Sequence, residues 1–460
     1  MSNDSVDRRD FLKTSAAAGL GAFMTNDIMT TNVTSNVTDK AVSSPLILTN
    51  GSPNERLRVA VMGLNSRGAV HARSFAKMNN CEVAYLCDVD SKVLDKSMAE
   101  VTPLQKNAPK RTNDLRKVLD DKDVDALVVA APDHWHTPAT ILALKAGKHV
   151  YLEKPVGHNP HEDEIVVAAQ QKYKGLVQVG TQRRSGPHFI ELRKAIADGV
   201  IGTPYLARAW YANTRVSIGK GKPVVAPETL DYNLWQGPAP RTPYRDNVVH
   251  YNWHWFTVWG TGEICNNGTH EIDVARMLLN LDYPTRVSSS GGRYHFDDDW
   301  QFPDTQEATF EFEGNKRIVW TSQSCNGLQT FGRQRGTSIL GTNGSIVVDQ
   351  DGYTIYDLKY KVVKESAPGA KTADATNPVG DDALTQLHLE NFSSAVRTGT
   401  ALNAPVVDGA KTAMLCHLGT IAHQTGRILK TDPKNGHIIG DAEASKLWKR
   451  DYDSSWTPTV

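Results

Sequence analysis

Two short stretches of the sequence carry side chains whose types and spacing suit proton transfer. In the first, an apolar run at 150–152 ends abruptly in Glu153-Lys154-Pro155. The run predicts a buried strand, and Pro155 ends it because proline has no N–H to donate to a strand ladder. In open α/β sheets, ligands bind at the carboxyl end of such strands. The pattern therefore favours a catalytic ammonium at Lys154, with a salt bridge at a domain edge as the alternative.

The second stretch contains His270 and Asp273, followed by an apolar run at 274–279 that predicts a helix. A spacing of three places both side chains on one helical face. An imidazole titrates near neutral pH, so His270 could act as a general base, or as the acid in the reverse direction. Asp273 could orient that imidazole or contact a substrate. The alternative is a helix-start histidine with an ordinary first-turn acid.

The elements before Lys154 predict a phosphate-binding turn. A strand over 58–62 runs into Gly63-Leu64-Asn65-Ser66-Arg67-Gly68, and a helix over 69–78 follows. This arrangement lets backbone N–H groups and a helix N-terminus hold a pyrophosphate. Asn65 stands where G-x-G-x-x-G has its second glycine, and asparagine tolerates positive φ better than other non-glycine residues.

A carboxylate follows the next predicted strand, over 83–87. Asp88 lies 20 residues beyond Gly68, where an acid can accept hydrogen bonds from the ribose hydroxyls of NAD. Because a carboxylate there would repel a 2′-phosphate, NAD is favoured over NADP. The alternative role for Asp88 is the N-cap of the helix predicted over 91–99.

Two further β-α units precede Lys154. A strand over 124–131 leads into a loop with Pro132, Asp133, His134 and His136, and a helix over 139–146 follows. Alternating strands and helices predict a doubly wound parallel sheet. We interpret the loop histidines as polar neighbours of the nucleotide rather than zinc ligands, because no third ligand is evident. The five scattered cysteines predict neither a metal site nor a disulfide framework.

Length, charge and the N-terminus limit the class of protein. The 460 residues suffice for two domains, and 51 basic against 51 acidic residues argue against nucleic acid or an anionic membrane as main partner. Arg8-Arg9 precede Phe11-Leu12-Lys13 and a mildly apolar stretch that is too short to span a membrane stably. The pattern predicts a twin-arginine signal over 1–25, hence a periplasmic or otherwise exported protein; a disordered basic start is the alternative. A flexible linker is predicted over 26–55.

Taken together, the motifs resemble those of the Gfo/Idh/MocA oxidoreductases, a family that includes inositol dehydrogenases. The resemblance covers roughly 57–432 and rests on Gly63-x-x-x-x-Gly68, Cys87-Asp88-Val89-Asp90, Ala131-Pro132-Asp133-x-x-His136, Glu153-Lys154-Pro155, Gly180-Thr181-Gln182-Arg183-Arg184 and Gly268-Thr269-His270-Glu271-Ile272-Asp273. It implies an α/β plus α+β protein: an N-terminal Rossmann domain over 56–178, then a C-terminal domain over 179–460 with an open, mostly antiparallel β-sheet. Turn-separated β-branched runs after residue 179 agree. Such a sheet favours a homo-oligomer.

The resemblance also implies roles for individual residues. The expected catalytic residues are Lys154, His270 and Asp273. The expected cofactor contacts are Gly63, Asn65, Ser66, Arg67, Gly68, Asp88, Pro132, His136, Glu153, Lys154 and Gln182. One departure concerns the position one turn before His270. Inositol dehydrogenases carry an aspartate there, whereas this chain has Asn266, which can hydrogen-bond a sugar hydroxyl but cannot act as a base.

An aromatic segment over 232–259 predicts a wall for a carbohydrate. Sugar rings stack on aromatic faces, so Trp253 and Trp255 are expected substrate contacts beside Asn266 and Arg183. The alternatives are a hydrophobic core or subunit interface for the aromatic segment and a structural ion pair for Arg183.

The sequence thus predicts an NAD-dependent oxidoreductase that acts on a secondary hydroxyl or keto group of a small-molecule sugar or glycoside. A redox-assisted glycosidase is one alternative. A non-catalytic sugar sensor is another, and the presence of both Lys154 and His270 argues against it.

Overall fold

A computed structural model describes residues 56–366 and 382–460. The predicted signal and linker lie outside these ranges. Six parallel strands form the first sheet in the order β3-β2-β1-β4-β5-β6. The strands are β1 Leu57–Met62, β2 Cys81–Cys87, β3 Lys110–Thr112, β4 Ala126–Val129, β5 His149–Leu152 and β6 Val177–Val179. The helices between them are α1 Arg67–Lys77, α2 Ser91–Val101, α3 Leu115–Asp120, α4 His136–Lys145 and α5 Pro160–Tyr173. The predicted doubly wound sheet is confirmed.

After helix α6 (Pro187–Ala197) the chain forms a second sheet in the order β15-β14-β13-β12-β7-β10-β9-β8-β16, with β11 paired to β7. Its strands are β7 Pro204–Thr214, β8 Arg286–Gly292, β9 Thr305–Phe312, β10 Lys316–Gln323, β11 Cys325–Asn326, β12 Arg335–Gly341, β13 Ser345–Val348, β14 Tyr353–Tyr356, β15 Val362–Glu365 and β16 Leu429–Lys430. Among the described strands of this second sheet, β7 and β10 form the one parallel pair, and the other pairs are antiparallel. The predicted mostly antiparallel sheet is confirmed.

Helices α7 (Tyr232–Gln236), α8 (Gly262–Asn266) and α9 (Gly268–Leu279) lie between β7 and β8, and α12 (Ala442–Ser445) follows β16. Two late helices return to the first sheet. In α10 (Ala383–Thr398), Leu389 and Phe392 join the core around Tyr151 of β5. Helix α11 (Val406–Thr425) contributes to the cores of both sheets. Helix α11 therefore joins the hydrophobic cores of the two sheets.

No helix in the described ranges combines the length and apolar character needed to cross a bilayer.

Candidate active site

The carboxyl edge of the first sheet opens into a cleft of about 310 Å³. Loops after β1, β2, β4 and β5 form one wall, and residues from α8, α9, β7 and β12 form the other. Most of the predicted site residues line it: Gly63, Asn65, Ser66, Arg67, Asp88, Pro132, His136, Glu153, Lys154, Gln182, Arg183, Trp253, Asn266 and His270. Tertiary folding therefore gathers residues spread over more than 200 positions of sequence.

The turn after β1 is packed too tightly for side chains at its two glycines. Gly63 has a φ of +84°, and a Cβ there would lie 2.6 Å from the carbonyl oxygen of Ala130. A Cβ on Gly68 would lie 1.7 Å from the carbonyl oxygen of Gly63. Gly68 is thus not a wall of the cleft but the residue that lets α1 approach the turn. The backbone and the N-terminus of α1 meet the requirements of a pyrophosphate site.

Asp88, at the end of β2, is joined to this turn by hydrogen bonds. Its Oδ2 accepts from the N–H of Leu64 at 2.6 Å, and its Oδ1 accepts from the N–H of Asp90 at 2.9 Å. Burial raises the pKa of Asp88. The N-cap of α2 is Asp90, so that alternative for Asp88 is wrong. A carboxylate held beside the glycine turn fits the ribose of a dinucleotide.

Glu153 is the centre of a buried charge cluster at the end of β5. Its Oε1 lies 2.8 Å from Nε2 of His71 and 3.3 Å from Nε of Arg67, both from α1. Although burial opposes ionisation, the hydrogen bond from His71 and the charge of Arg67 hold the pKa of Glu153 below its usual range. Glu153 thus fixes α1 against β5, and only part of it faces the cleft.

Lys154 points across the cleft to the second wall. Its Nζ donates to the carbonyl oxygen of Asn266 at 2.8 Å and to the Oδ1 of Asn266 at 3.0 Å. Burial lowers the pKa of Lys154. The sequence left open a salt bridge between Lys154 and a nearby acid. The ammonium instead donates to these two neutral oxygens of Asn266. A half-buried ammonium bonded to neutral oxygens can hydrogen-bond a substrate oxygen and return to Asn266 afterwards.

His270 lies in the first turn of α9 and lines the same cleft. Burial, followed by the positive charges of Lys154, Arg335 and Arg183, lowers the pKa of His270 well below its usual value. The imidazole is therefore neutral at neutral pH, the state that a general base requires. No other side chain among the described residues forms a hydrogen bond with the imidazole ring of His270.

The structure does not bring Asp273 or Trp255 into the cleft. Asp273 is buried and accepts from Nε of Arg184 at 2.7 Å and from the hydroxyl of Thr412 at 2.8 Å. Trp255 is buried and stacks on Trp300 with ring centroids 3.8 Å apart. Helical spacing alone predicts that Asp273 lies near His270 in the cleft. The guanidinium of Arg184 instead binds the carboxylate of Asp273 outside the cleft.

The aromatic segment divides between the two roles left open by the sequence. Trp235, Tyr251, Trp253 and His254 line the cleft, and the ring of His254 stacks on Trp253 at 3.6 Å. Trp235 and Trp253 also belong to a hydrophobic cluster with Phe256 and Trp259.

Several cleft residues were not expected from the sequence: Tyr211, Asn213, Arg215, Asn267, Arg335 and Trp456. Arg335 comes from β12 and Tyr211 from the neighbouring β7. Neither belongs to a recognisable motif, and only strand pairing brings them to the cleft. Trp456 arrives from the C-terminal segment, where its ring packs edge-to-face on Trp135 at 4.9 Å.

Comparison with known proteins agrees with this architecture. A family model described as an oxidoreductase family with an NAD-binding Rossmann fold matches residues 57–181. A second model from the same family, described as its C-terminal alpha/beta domain, matches residues 188–458. A model of the twin-arginine translocation signal matches residues 5–25 and confirms the export signal.

Individual relatives are distant. The chain is 27% identical over 231 residues to an inositol 2-dehydrogenase of Salmonella typhimurium. The matched residues cover 50% of this chain and 56% of that protein. It is 28% identical over 307 residues to the uncharacterized oxidoreductase YrbE of Bacillus subtilis, covering 66% of this chain and 77% of that one. The structure of a levoglucosan dehydrogenase with NADH and levoglucosan aligns with a TM-score of 0.63 at 17% identity, over 82% of this chain and 99% of the other. At that identity the alignment shows a shared fold.

Proposed function

Because the chain belongs to the Gfo/Idh/MocA family of NAD-binding oxidoreductases, we propose that it is an NAD-dependent dehydrogenase of a sugar or glycoside. It transfers a hydride between nicotinamide and a secondary hydroxyl or keto group. One observation carries the proposal: Lys154 and His270 line the same cleft as the glycine turn and Asp88. A proton-transfer pair beside a dinucleotide site is the arrangement that carbinol oxidation requires.

The first wall of the cleft supplies the cofactor contacts. The turn from Gly63 to Arg67 and the start of α1 hold the pyrophosphate, and Asp88 accepts from the ribose hydroxyls. Pro132, His136, Glu153 and Gln182 complete the walls around this site. The bound nicotinamide supplies the hydride acceptor. NAD is preferred to NADP because Asp88 would repel a 2′-phosphate.

The second wall supplies the base, and Lys154 reaches it from the first wall. Neutral His270 takes the proton of the substrate hydroxyl, and Lys154 donates a hydrogen bond to the same oxygen as negative charge develops on it. Asn266 holds the Lys154 ammonium between turnovers and offers its amide to a second hydroxyl. Trp253 provides an apolar face for the sugar ring, and Arg183 borders the substrate end. Asp273 and Trp255 support this wall from behind.

The rest of the chain is assigned to delivery and assembly. Residues 1–25 direct export and 26–55 link them to the enzyme, which works in the periplasm. The NAD-binding domain spans 56–178, and the substrate-binding domain spans 179–460. We place a homo-oligomer contact on the second sheet, where the outermost strand β15 exposes Val362 and Val363. Within 56–366 and 382–460 no further strand pairs with β15, and an apolar strand edge is a surface that a second copy covers.

A glycoside and polyol panel tests the proposal. Purified protein is incubated with NAD and each compound, followed by absorbance at the NADH band and mass spectrometry of the products. We expect NADH and a keto-sugar in equal amounts for at least one compound. Free aglycone without net NADH would show the redox-assisted glycosidase instead, and sugar binding without any product would show a sensor.

A further inference from the structure

The substrate end of the cleft contains two guanidinium groups that share one carboxylate. Arg183 binds both oxygens of Glu271 in a bidentate ion pair, and Nε of Arg335 donates to Oε1 of Glu271 at 2.7 Å. Glu271 is fully buried, whereas Arg183 and Arg335 both line the cleft. One carboxylate can neutralise only one of the two cations, so a positive charge remains at this wall.

Arg335 has unused hydrogen-bonding capacity. Its Nη1 donates to Oδ1 of Asn267 at 3.2 Å, while its Nη2 has no partner within the described residues. The guanidinium also lies 5.3 Å from the centre of the Tyr211 ring. An unsatisfied donor on a buried cation is costly unless a ligand supplies the acceptor.

The neighbouring ion pairs do not remove the excess charge. Arg215 is matched by Glu263, which also accepts from Ser324 and is buried behind the cleft wall. Lys154 has only neutral acceptors on Asn266. Four cations at this end therefore face two buried carboxylates, Glu263 and Glu271.

Two other acids lie near Lys154 but are already engaged. Glu153 is held by Arg67 and His71. Asp133 accepts from the hydroxyl of Thr261 at 2.5 Å, and burial raises its pKa. Beside burial, three of these cations, Lys154, Arg335 and Arg183, lower the pKa of His270, so their positive charge acts on the imidazole that lines the cleft.

We propose that the substrate carries a carboxylate, as uronic acids and aldonic acids do, and that Arg335 is the residue that recognises it. This inference rests on the proposed sugar dehydrogenase function and narrows its substrate class. A monoanionic group matches one excess guanidinium with one free donor edge, and a charge-assisted hydrogen bond there adds affinity that a neutral sugar cannot obtain.

The test compares matched substrates that differ only in the acidic group: methyl glucuronoside against methyl glucoside, and gluconate against sorbitol. Both kcat/KM with NAD and the dissociation constant of each compound for the NAD-loaded enzyme are measured. We expect the wild-type protein to favour the acid by at least 10-fold. In Arg335→Gln, kcat/KM and affinity for the acid should fall by about 10- to 100-fold, whereas those for the neutral partner should fall by less than about 3-fold. Arg335→Lys should recover part of the loss for the acid.

Arg193→Gln is the matched control, because Arg193 is an exposed guanidinium on α6 outside the cleft. This variant should leave the preference for the acid over the neutral partner unchanged, both in kcat/KM and in the dissociation constant. Equal or better use of the neutral partner by the wild type would overturn the inference while leaving the dehydrogenase intact, as would tighter binding of glucose 6-phosphate than of glucuronate. Selective binding of the acids without NADH formation would support the carboxylate site and contradict the dehydrogenase.

Discussion

The ammonium of Lys154 is bonded twice to a single residue, Asn266, through the backbone carbonyl at 2.8 Å and the side-chain oxygen at 3.0 Å. Lys154 lies two residues beyond the end of β5, and Asn266 ends helix α8 on the opposite wall. The contact fixes the ammonium at the point where the two walls meet. In the proposed mechanism, this contact preorganises the hydrogen-bond donor before the substrate binds.

Replacing Lys154 by alanine should abolish turnover and spare cofactor binding. The side chain contacts the second wall rather than the glycine turn, so kcat should fall by about 10²- to 10⁴-fold while the dissociation constant of NAD changes less than about 3-fold. Steady-state kinetics and NAD titration measure the two effects. Lys122→Ala, an exposed lysine of the same domain, serves as control. Near-normal turnover in Lys154→Ala would remove Lys154 from the mechanism.

Asn266→Asp should move the acidic limb of the pH–rate profile upward. A general base loses activity as pH falls through its pKa, and burial together with nearby cations holds the pKa of His270 low. A carboxylate at position 266 would offset those cations and raise the pKa of His270. The profile of kcat/KM from pH 4.5 to 8 measures the shift. Asn266→Ala removes the amide without adding charge, so the acidic limb of its profile should coincide with that of the wild type. Identical acidic limbs in the wild type, Asn266→Asp and Asn266→Ala would contradict His270 as the base.

Asp88→Ala should weaken NAD binding by about 10-fold, because charge-assisted hydrogen bonds to the ribose are lost. The preference for NAD over NADP should shrink in the same variant, since the repulsion of a 2′-phosphate is also lost. Fluorescence titration with both dinucleotides measures the ratio. The control is Asp95→Ala, an exposed acid on α2. An unchanged NAD affinity would move the ribose contact to another residue.

Trp456→Ala should weaken binding at the adenosine end of the cofactor only. Its ring lies beside Trp135 and 5.3 Å from the guanidinium of Arg116, next to the loop that follows β3. Strand β3 neighbours β2, whose end carries Asp88, so this ring borders the adenosine half. We expect a loss of about 3- to 10-fold for NAD and ADP-ribose.

Nicotinamide mononucleotide, which lacks that half, provides the internal control for Trp456→Ala, because its affinity should not change. Trp448→Ala is the control for position, because Trp448 lies in the same C-terminal segment but outside the cleft. Its affinity for NAD should not change. A parallel loss of affinity for the mononucleotide would show that Trp456 acts through folding instead.

Stability should fall on mild acidification because of the buried His388. Its Nε2 donates to the carbonyl of Val179 at 2.8 Å, and its Nδ1 accepts from the hydroxyl of Ser185 at 2.6 Å. Burial lowers the pKa of His388 to about 4. The unfolded chain therefore binds a proton between pH 6.5 and 4 that the folded chain excludes, and stability falls by about 1.4 kcal/mol per pH unit in this window.

Urea unfolding at pH 7.5 and 5.0 measures the effect of His388. The His388→Gln variant should be less stable at pH 7.5 but should lose about 2 kcal/mol less than the wild type between the two pH values. Equal losses in both proteins would show that His388 does not carry this dependence.

Local chemistry in the sequence was sufficient for the first sheet and for most of the cofactor site. The glycine turn, Asp88 and Glu153-Lys154-Pro155 each follow a predicted strand, and parallel strands present their carboxyl ends at one edge. The order of the motifs therefore implied their proximity. The twin-arginine signal was readable for the same reason, since its information is contiguous.

Only the tertiary structure decided the substrate wall. Helical spacing could pair His270 with Asp273, but Arg184 holds that carboxylate in a buried ion pair. Arg335 reaches the cleft through its pairing with Tyr211 across β12 and β7, which are separated by more than 100 residues of sequence. Long-range antiparallel pairing depends on how whole strands pack, and a single arginine in a strand carries no local mark of its partner. The motifs of the first sheet are contiguous in the sequence, whereas Arg335 reaches the cleft through contacts between distant strands.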